Sequence, residues 1–389
     1  RPLSHYFRQK FSQVTNPPID PLREARVMSL NTRFKNLGNI LASDETQTDV
    51  YVLESPFLSN GMYDRFLTEV GEAAVVIDCT YEKDAGSGAP AGAQLRACLN
   101  RIRDDACAAI ENGAEHLVLS DEAQNASRVG APMILAAGGV HRRLLDRGLR
   151  SFCSITVRSA EALDAHYAAV LVGVGATTVN PYLACESIAL AHERGVYGDL
   201  SLGECVFNYK SAIEAGLLKI LSKAGVSVIS SYRGGCNFEA LGLSRALVQE
   251  FFPGAPSRIS GIGLPGLERK TMALHEAGFS AAAPIAAIGG FYRHRRNGEK
   301  HAFEARLIAD LQTAVRENDY AAYRRYSAAL ADQDPVQLRE LLRMTPISAP
   351  IAADDVESIN GIRQRFVTPG MSLGALSQEA HGALNIAMN

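Results

Sequence analysis

The sequence lacks the cysteine and histidine spacings of a metal centre or a redox pair. Its seven cysteines are scattered along 389 residues, and none of them forms a C-x-x-C pair. An odd number of scattered cysteines favours free thiols over a disulfide framework. The nine histidines contain no H-x-x-x-H or H-E-x-x-H pattern, which is the spacing typical of zinc sites. We therefore expect free thiols in a reducing cytosol, and no metal site or iron–sulfur cluster within these residues.

Long apolar runs and an excess of charge of one sign are also absent. No window approaches the ~18 to 20 apolar residues of a membrane helix, and the first ten residues are polar. The 39 Lys and Arg residues against 42 Asp and Glu residues give a net charge of −3, without the basic surface expected of a nucleic-acid-binding domain. We expect a cytoplasmic protein with neither membrane nor nucleic acid as a partner.

What the sequence does contain is an alternation of short β-rich runs with longer helical patterns between about residues 50 and 280. The runs are rich in Val, Ile, Leu, Cys and Ser, as expected of parallel strands covered on both faces. They span Tyr51 to Ser55, Ala74 to Thr80, His116 to Asp121, Phe152 to Arg158, Thr177 to Asn180, Val226 to Tyr232, Phe238 to Leu241 and Arg258 to Gly261. Eight β/α units predict a closed (β/α)8 barrel. An open doubly wound sheet is the alternative, because the fifth and seventh runs are weak.

Helical periodicity fills the intervals between these runs and continues beyond them. The predicted helices cover Ser4 to Gln13, Met62 to Val70, Gln94 to Glu111, Pro132 to Arg147, Ala160 to Val170, Tyr182 to Gly195, Ser201 to Ala224, Ser244 to Phe251, Pro265 to Ala277, His301 to Asn318, Tyr320 to Ala331, Val336 to Met344 and Ser377 to Asn389. The last pattern has no stop signal, so we expect a longer polypeptide.

The domain organisation predicted from these patterns has four parts. Residues 1–48 form a helix and a Pro-rich arm, and residues 49–300 form the barrel. Residues 301–365 form a helical extension and linker, and residues 366–389 begin a further domain.

Polar residues at the ends of the predicted strands are the candidates for chemistry, because barrel enzymes hold catalytic groups there. They are Glu54, Asp78, Cys79, Asp121, Arg158, Asn180, Arg233 and the turn from Ser260 to Gly263. A functional interpretation makes Asp78 or Asp121 an acid or base, and gathers Arg158, Arg233, Gly261 and Gly263 into an anion site. The alternative, which we prefer, is that these polar groups cap strands and form salt bridges. For the turn from Gly261 to Gly263, a phosphate site and a plain tight turn stay equally open.

Several segments carry a resemblance to a known family. They are Ser4 to Gln9, Val14 to Glu24, Tyr51 to Pro56, Gly173 to Asn180, Ile229 to Gly235, Ser257 to Gly263 and Arg365 to Ser377. The first six resemble the central domain of bacterial glutamate synthase large subunits, and the last resembles the entry to the flavin domain of that family. The resemblance spans almost the whole chain.

This resemblance implies an oxidoreductase that makes glutamate from glutamine, 2-oxoglutarate and NADPH. The whole enzyme would use FMN, an iron–sulfur cluster, and FAD with NADPH on a small (beta) subunit. Ferredoxin-dependent relatives share the domain, so the electron donor stays open. In this family the central domain is a degenerate, non-catalytic (β/α)8 barrel that links the glutaminase and FMN domains and helps to line the ammonia tunnel. We therefore expect no catalytic residue and no complete cofactor site in this chain.

The resemblance also implies roles for individual residues. The tunnel-lining assignment falls on Thr15, Asn16, Pro17, Pro18 and Ile19. A rigid Pro-Pro arm with free carbonyls suits that role, and an arm that packs one domain on another is the structural alternative. The entry to the FMN domain falls on Met371, Ser372, Gly374 and Ala375. The rival to this account is an autonomous barrel enzyme, or an anion-binding barrel that uses Arg158, Arg233 and the Gly261 turn.

Overall fold

The structure is a computed structural model that describes residues 2–12, 17–39, 41–42, 45, 48–83, 90–280, 289–290 and 293–389. The chain divides into two compact units, Arg1–Pro284 and Ile285–Asn389, which are described separately. No helix within the described ranges is long and apolar enough to cross a lipid bilayer.

The first unit is mixed α/β. Its strands are β1 (Phe7–Gln9), β2 (Thr32–Phe34), β3 (Tyr51–Leu53), β4 (Ala74–Asp78), β5 (Thr80–Glu82), β6 (His116–Ser120), β7 (Arg128–Gly130), β8 (Ser154–Arg158), β9 (Thr178–Asn180) and β10 (Phe238–Ala240). Its helices are α1 (Asn60–Val70), α2 (Ala93–Glu111), α3 (Met133–Asp146), α4 (Ala165–Gly173), α5 (Tyr182–Glu193), α6 (Leu202–Ala224), α7 (Ile229–Tyr232), α8 (Arg245–Phe251) and α9 (Leu264–Gly278).

A parallel sheet forms the centre of this unit. Its strand order is β4-β6-β8-β9, and neighbouring strands are joined by the crossover helices α2, α3 and α4. Residues 56–58 extend the sheet beyond β9, where the Leu58 N–H donates to the Val179 carbonyl (2.9 Å) and the Val179 N–H donates to the Pro56 carbonyl (2.8 Å). The first β-rich run, Tyr51 to Ser55, does not enter this sheet, because Tyr51–Leu53 pairs antiparallel with β2.

The two faces of the sheet bury different sets of side chains. Residues alternate between the faces of a strand, so Leu117, Leu119, Ile155 and Val157 lie in one core cluster with α2, α3 and α4. Each of these four side chains is fully buried. Helices α2, α3 and α4 thus all pack on one face of the sheet. In the doubly wound alternative, the crossover helices would cover both faces.

The opposite face is filled by α1 and by the antiparallel pair β2–β3. Val118 of β6 packs there in a separate cluster with Phe34 and Phe66. The Phe34 and Phe66 rings meet at 5.1 Å between centroids, and the Phe66 ring lies 4.5 Å from the ring of His116. Helix α1 begins at Ser59, whose side chain accepts a hydrogen bond from the Met62 N–H. This layer occupies the face that would line the interior of a closed barrel.

The prediction of a mixed α/β fold with a parallel sheet is confirmed, whereas the closed eight-stranded barrel is not. The run Val226 to Tyr232 forms the short helix α7 after a bridge between Ser29 and Val228. The run Arg258 to Gly261 forms no strand. Periodicity cannot distinguish a short apolar strand from a buried helical turn, which explains the first error.

The seventh predicted run is a strand, but it does not join the parallel sheet. Phe238–Ala240 pairs antiparallel with β1, which begins at Phe7. The Phe7 ring packs edge-on against Phe238 (4.9 Å) and Phe252 (5.2 Å). The helix predicted over Ser4 to Gln13 is therefore wrong, because burial of Phe7 against β10 stabilises an extended backbone after a 3-10 turn at Leu3–Tyr6.

The second unit contains four α-helices within its described residues. They are α10 (Ala305–Glu317), α11 (Tyr320–Ala331), α12 (Ile359–Arg363) and α13 (Gln378–Met388). Helices α10 and α11 form a hairpin through Asn318, which adopts a left-handed conformation with φ of 52°. The helix predicted over Val336 to Met344 is wrong, because only a 3-10 turn at Leu338–Leu341 forms there and its leucines are exposed.

Candidate functional site

Arg158 ends β8 and is already engaged by neighbouring groups. Its Nε donates to Oε2 of Glu122 (2.7 Å) and its Nη1 donates to Oδ1 of Asn180 (2.5 Å). The guanidinium also lies 4.5 Å from the ring centre of Tyr63 and 4.8 Å from that of Tyr182. The hydrogen bonds from Arg158 hold the pKa of the Glu122 carboxyl below its usual value. Because Glu122 balances its charge, Arg158 is a structural ion-pair partner and not a free anion clamp.

Asp78, at the end of β4, is paired in the same way. Its Oδ2 accepts from Nη2 of Arg128 (2.6 Å), and its Oδ1 accepts from the Thr80 N–H (2.8 Å). Arg128 also donates to Glu82 (2.6 Å). Cys79 beside it is fully buried, and burial raises the pKa of its thiol. Asp78 thus links β4 to β7, and a buried protonated thiol is a poor nucleophile.

A cleft of about 240 Å³ lies beside the carboxyl end of β6, lined in part by Asp121, Glu161 and His275. Asp121 accepts from the Ala160 N–H (3.0 Å) and the Ser159 hydroxyl (3.1 Å). Burial raises the pKa of the Asp121 carboxyl to about 7, although the Ala160 N–H opposes that rise. Asp121 can therefore exchange a proton near neutral pH while holding the loop after β8.

Glu161 and His275 are likewise tied to the backbone. Glu161 accepts from the Met133 N–H (3.1 Å) at the start of α3 and from the Tyr167 hydroxyl. Burial raises the pKa of the Glu161 carboxyl. His275 Nε2 lies 2.7 Å from the Asn125 carbonyl. These contacts anchor helices and loops, and no group of His, Cys, Asp and Glu side chains among the described residues has the arrangement of a metal site.

The four residues of the predicted anion site do not come together. Arg158 pairs on the sheet as above, whereas Arg233 follows α7 and lies near His141 and Arg150. A Cβ on Gly261 would lie 2.0 Å from the Gly242 carbonyl oxygen, so this glycine permits a close approach of two backbones. Gly263 precedes α9, whose first turn contains proline. Close backbone packing against Gly242 therefore accounts for the glycine at position 261.

The predicted tunnel arm is described only in part, because Thr15 and Asn16 lie outside the described residues. Pro17 and Pro18 are exposed and Ile19 is half-buried. The Ile19 N–H donates to the Ser222 carbonyl (2.9 Å), and on the other side of residues 13–16 the Ser12 N–H donates to the Lys223 carbonyl (2.8 Å). Ser12 and Ile19 are thus both hydrogen-bonded to carbonyls at the end of α6.

The predicted entry to the FMN domain contains a 3-10 turn at Leu373–Ala375. Ser372, Gly374 and Ala375 are exposed, and Met371 is half-buried with its carbonyl 3.2 Å from His381 Nε2. An exposed turn does not enclose an isoalloxazine ring, so these residues alone do not fit FMN.

Several residues that organise the site were not singled out in the sequence. Glu122 directly follows Asp121, so its position just after β6 could have marked it as a further polar residue at a strand end. Arg128 begins the three-residue strand β7, Arg150 begins a 3-10 turn and Glu161 lies in a turn, and these short elements have no periodicity to mark them. All seven cysteines are free and buried.

The fold and these paired strand ends define an α/β domain that uses its polar groups to hold its own loops and helices. Residues 1–244 match the family model for the glutamate synthase central domain, and residues 301–389 match the conserved region in glutamate synthase. The chain belongs to the glutamate synthase central domain family.

Full-length relatives show how the chain relates to larger proteins. It is 53% identical to the glutamate synthase [NADPH] large chain of Azospirillum brasilense over 389 residues, covering all of this chain and 25% of that protein. It is 36% identical to the corresponding Bacillus subtilis chain and 38% identical to the ferredoxin-dependent glutamate synthase of Pyropia yezoensis, covering 25% and 26% of those proteins. The chain thus spans about a quarter of the length of these relatives.

Solved structures add no further argument about the fold. A structure of a mandelate oxidase variant is 14% identical, covers 44% of this chain and 57% of that chain, and has a TM-score of 0.29.

Proposed function

We propose that this chain is the non-catalytic central domain of a glutamate synthase large chain, linking a glutaminase domain to an FMN domain. The observation that supports the proposal is the internal pairing of Arg158 with Glu122 and of Asp78 with Arg128. Barrel enzymes use the carboxyl ends of their strands for substrates, whereas this domain uses them for its own ion pairs.

The parent enzyme, under this proposal, converts glutamine, 2-oxoglutarate and NADPH to two glutamates in the cytoplasm. Its FMN and iron–sulfur cluster would be held by parts of the large chain outside these residues, and a small (beta) subunit would carry FAD and oxidise NADPH. The 53% identity to an NADPH-dependent large chain supports NADPH over ferredoxin as the electron source. The seven buried thiols fit a reducing compartment.

A comparison of the isolated chain with a longer polypeptide tests this proposal. We expect the purified 389-residue chain to bind no FMN in a fluorescence titration and to form no glutamate, because its FMN-entry residues lie in an exposed turn. Restoring the flanking domains and the beta subunit should give both glutamine-dependent and ammonia-dependent glutamate formation. Stoichiometric flavin binding or glutamate formation by the isolated chain would contradict the proposal.

We also propose that the arm from Thr15 to Ile19 lines the ammonia tunnel between the two catalytic domains. The anchors at Ser12 and Ile19 support this role, because they fix the two sides of the arm against the end of α6. Proline carbonyls and a threonine hydroxyl could accept hydrogen bonds from ammonia along such a path.

A further inference from the structure

A cluster of positively charged groups lies apart from the strand ends, around Arg150. Its Nε donates to His141 Nδ1 (2.9 Å), its Nη1 to the Cys153 carbonyl (2.7 Å) and its Nη2 to the Gly175 carbonyl (2.9 Å). These acceptors are uncharged, because burial and Arg150 lower the pKa of the His141 imidazole to about 3. Arg150 therefore keeps its positive charge without a carboxylate partner among the described residues.

His141 is oriented by this contact. Because its Nδ1 accepts from Arg150, the neutral ring carries its hydrogen on Nε2. A Cβ on Gly234 would lie 2.9 Å from that Nε2, so the nitrogen faces the turn that follows Arg233. Gly234 has φ of +68° and its N–H donates to the Val172 carbonyl (3.0 Å), which fixes the turn. The imidazole thus presents an N–H donor towards the Arg233 turn.

Arg233 supplies the second guanidinium. Its Nε is buried and has no hydrogen-bond partner among the described residues, whereas the side chain as a whole is half-buried. Burial and the nearby Arg150 lower its pKa to about 10, so it remains charged at neutral pH. A buried guanidinium nitrogen without a partner is costly, and an oxyanion would satisfy it. The adjoining Gly235 is exposed, which gives the cluster a route to solvent.

We propose that Arg233 and His141 bind one oxyanion, a carboxylate or phosphate group, and that Arg150 positions the imidazole and adds positive charge. The fork of a guanidinium matches the paired oxygens of both groups. The oxyanion comes either from solution or from an acidic side chain elsewhere in a longer polypeptide. This site is independent of the function proposed above, and it differs from the predicted anion set because Arg158 and the Gly261 turn take no part.

Calorimetric titration of the 389-residue chain with sodium phosphate, and separately with sodium acetate, at fixed ionic strength tests the site. We expect saturable binding of at least one anion to the wild-type chain, and an affinity about tenfold or more weaker in Arg233→Gln. The matched control is Arg142→Gln on α3, which removes a nearby charge already paired with Asp146 (2.8 Å). This control should keep the wild-type affinity within about twofold, because exposed charges contribute little.

Other outcomes are equally decisive. If neither anion binds the wild-type chain saturably, or if Arg233→Gln binds as tightly as wild type, the proposal is wrong. Arg233→Lys, which keeps the charge but loses the fork, provides a second test if Arg233→Gln does not fold, and an unchanged affinity would count against the site. Repeating the titration on a longer polypeptide separates the two sources. A site filled by its own carboxylate would no longer take up phosphate, whereas a site for a free anion would.

Discussion

Gly175 shows at the scale of one residue how backbone conformation and packing act together. Its φ is +119°, and a Cβ there would lie 2.3 Å from Cγ of His141. We expect Gly175→Ala to lower the free energy of unfolding by about 3 kcal/mol or more, because strain adds to a clash with a constrained imidazole. Gly113→Ala is the matched control, since its φ is +95° and its Cβ would meet open space. That variant should lose only about 1 to 2 kcal/mol in urea denaturation, and equal losses would contradict this account.

Asp121 couples stability to pH. Burial raises its pKa from 3.8 to about 7, so the folded protein keeps a proton that the unfolded chain releases above about pH 4. The resulting stabilisation is present below about pH 4 and is lost as pH rises to about 7. The change corresponds to at most about 4 kcal/mol.

Asp121→Asn removes this titration. We expect wild type to lose stability relative to Asp121→Asn between about pH 4 and 7, measured as the difference in unfolding free energy at each pH. The exposed Asp104→Asn serves as a control for a general charge effect. A difference between wild type and Asp121→Asn that stays constant over this range would refute the buried-carboxyl interpretation.

Helix α1 is the element that separates this fold from a closed barrel. Phe66 on α1 is 6% exposed and packs on Phe34 and His116 over the inner face of the sheet. We expect Phe66→Ala to destabilise the chain by about 3 to 5 kcal/mol, because it leaves a cavity between α1 and the sheet.

The same substitution at Phe207 on α6 is the control, because that ring is 63% exposed. Phe207→Ala should change the free energy of unfolding by about 0.5 kcal/mol or less. Similar losses for the two variants would show that α1 does not hold the inner face.

The long helices were predictable because their signals are local. The prediction of Gln94 to Glu111 differs from α2 by one residue at its start, and the prediction of Tyr320 to Ala331 matches α11. Helix α6 begins at a capping box between Ser201 and Glu204, which is a pattern readable in sequence. Apolar periodicity and end signals therefore located these elements without tertiary information.

The strand order and the charged clusters were not predictable, because they depend on contacts between distant residues. No local sequence signal indicates that Leu58 hydrogen-bonds to Val179, which lies more than a hundred residues away in the chain. The strand order, and with it the absence of a closed barrel, could therefore not be predicted from the eight runs. Arg128 meets Asp78 from a position 50 residues away, and Arg233 comes near His141 only through the turn at Gly234. Sequence reasoning identified Arg233 as a candidate but assigned it the wrong neighbours.

At the scale of the whole molecule, the chain spans about a quarter of the length of the large-chain relatives that it matches. Under the proposed function, the chain takes part in glutamate synthesis only when it connects the flanking catalytic domains. Its contribution is then geometric, because an arm anchored at Ser12 and Ile19 must guide ammonia without leakage. Loss of that guidance should separate glutamine hydrolysis from glutamate formation while leaving each reaction chemically possible.

The most direct measurement is the ratio of glutamine hydrolysed to 2-oxoglutarate converted in the complete enzyme carrying Thr15→Val. Valine keeps the shape of threonine but removes its hydroxyl, and Thr48→Val in an exposed loop is the matched control. We predict a ratio near one for wild type and the control, and an excess of glutamine hydrolysis with retained ammonia-dependent activity for Thr15→Val. An unchanged ratio in Thr15→Val would contradict the tunnel role of the arm.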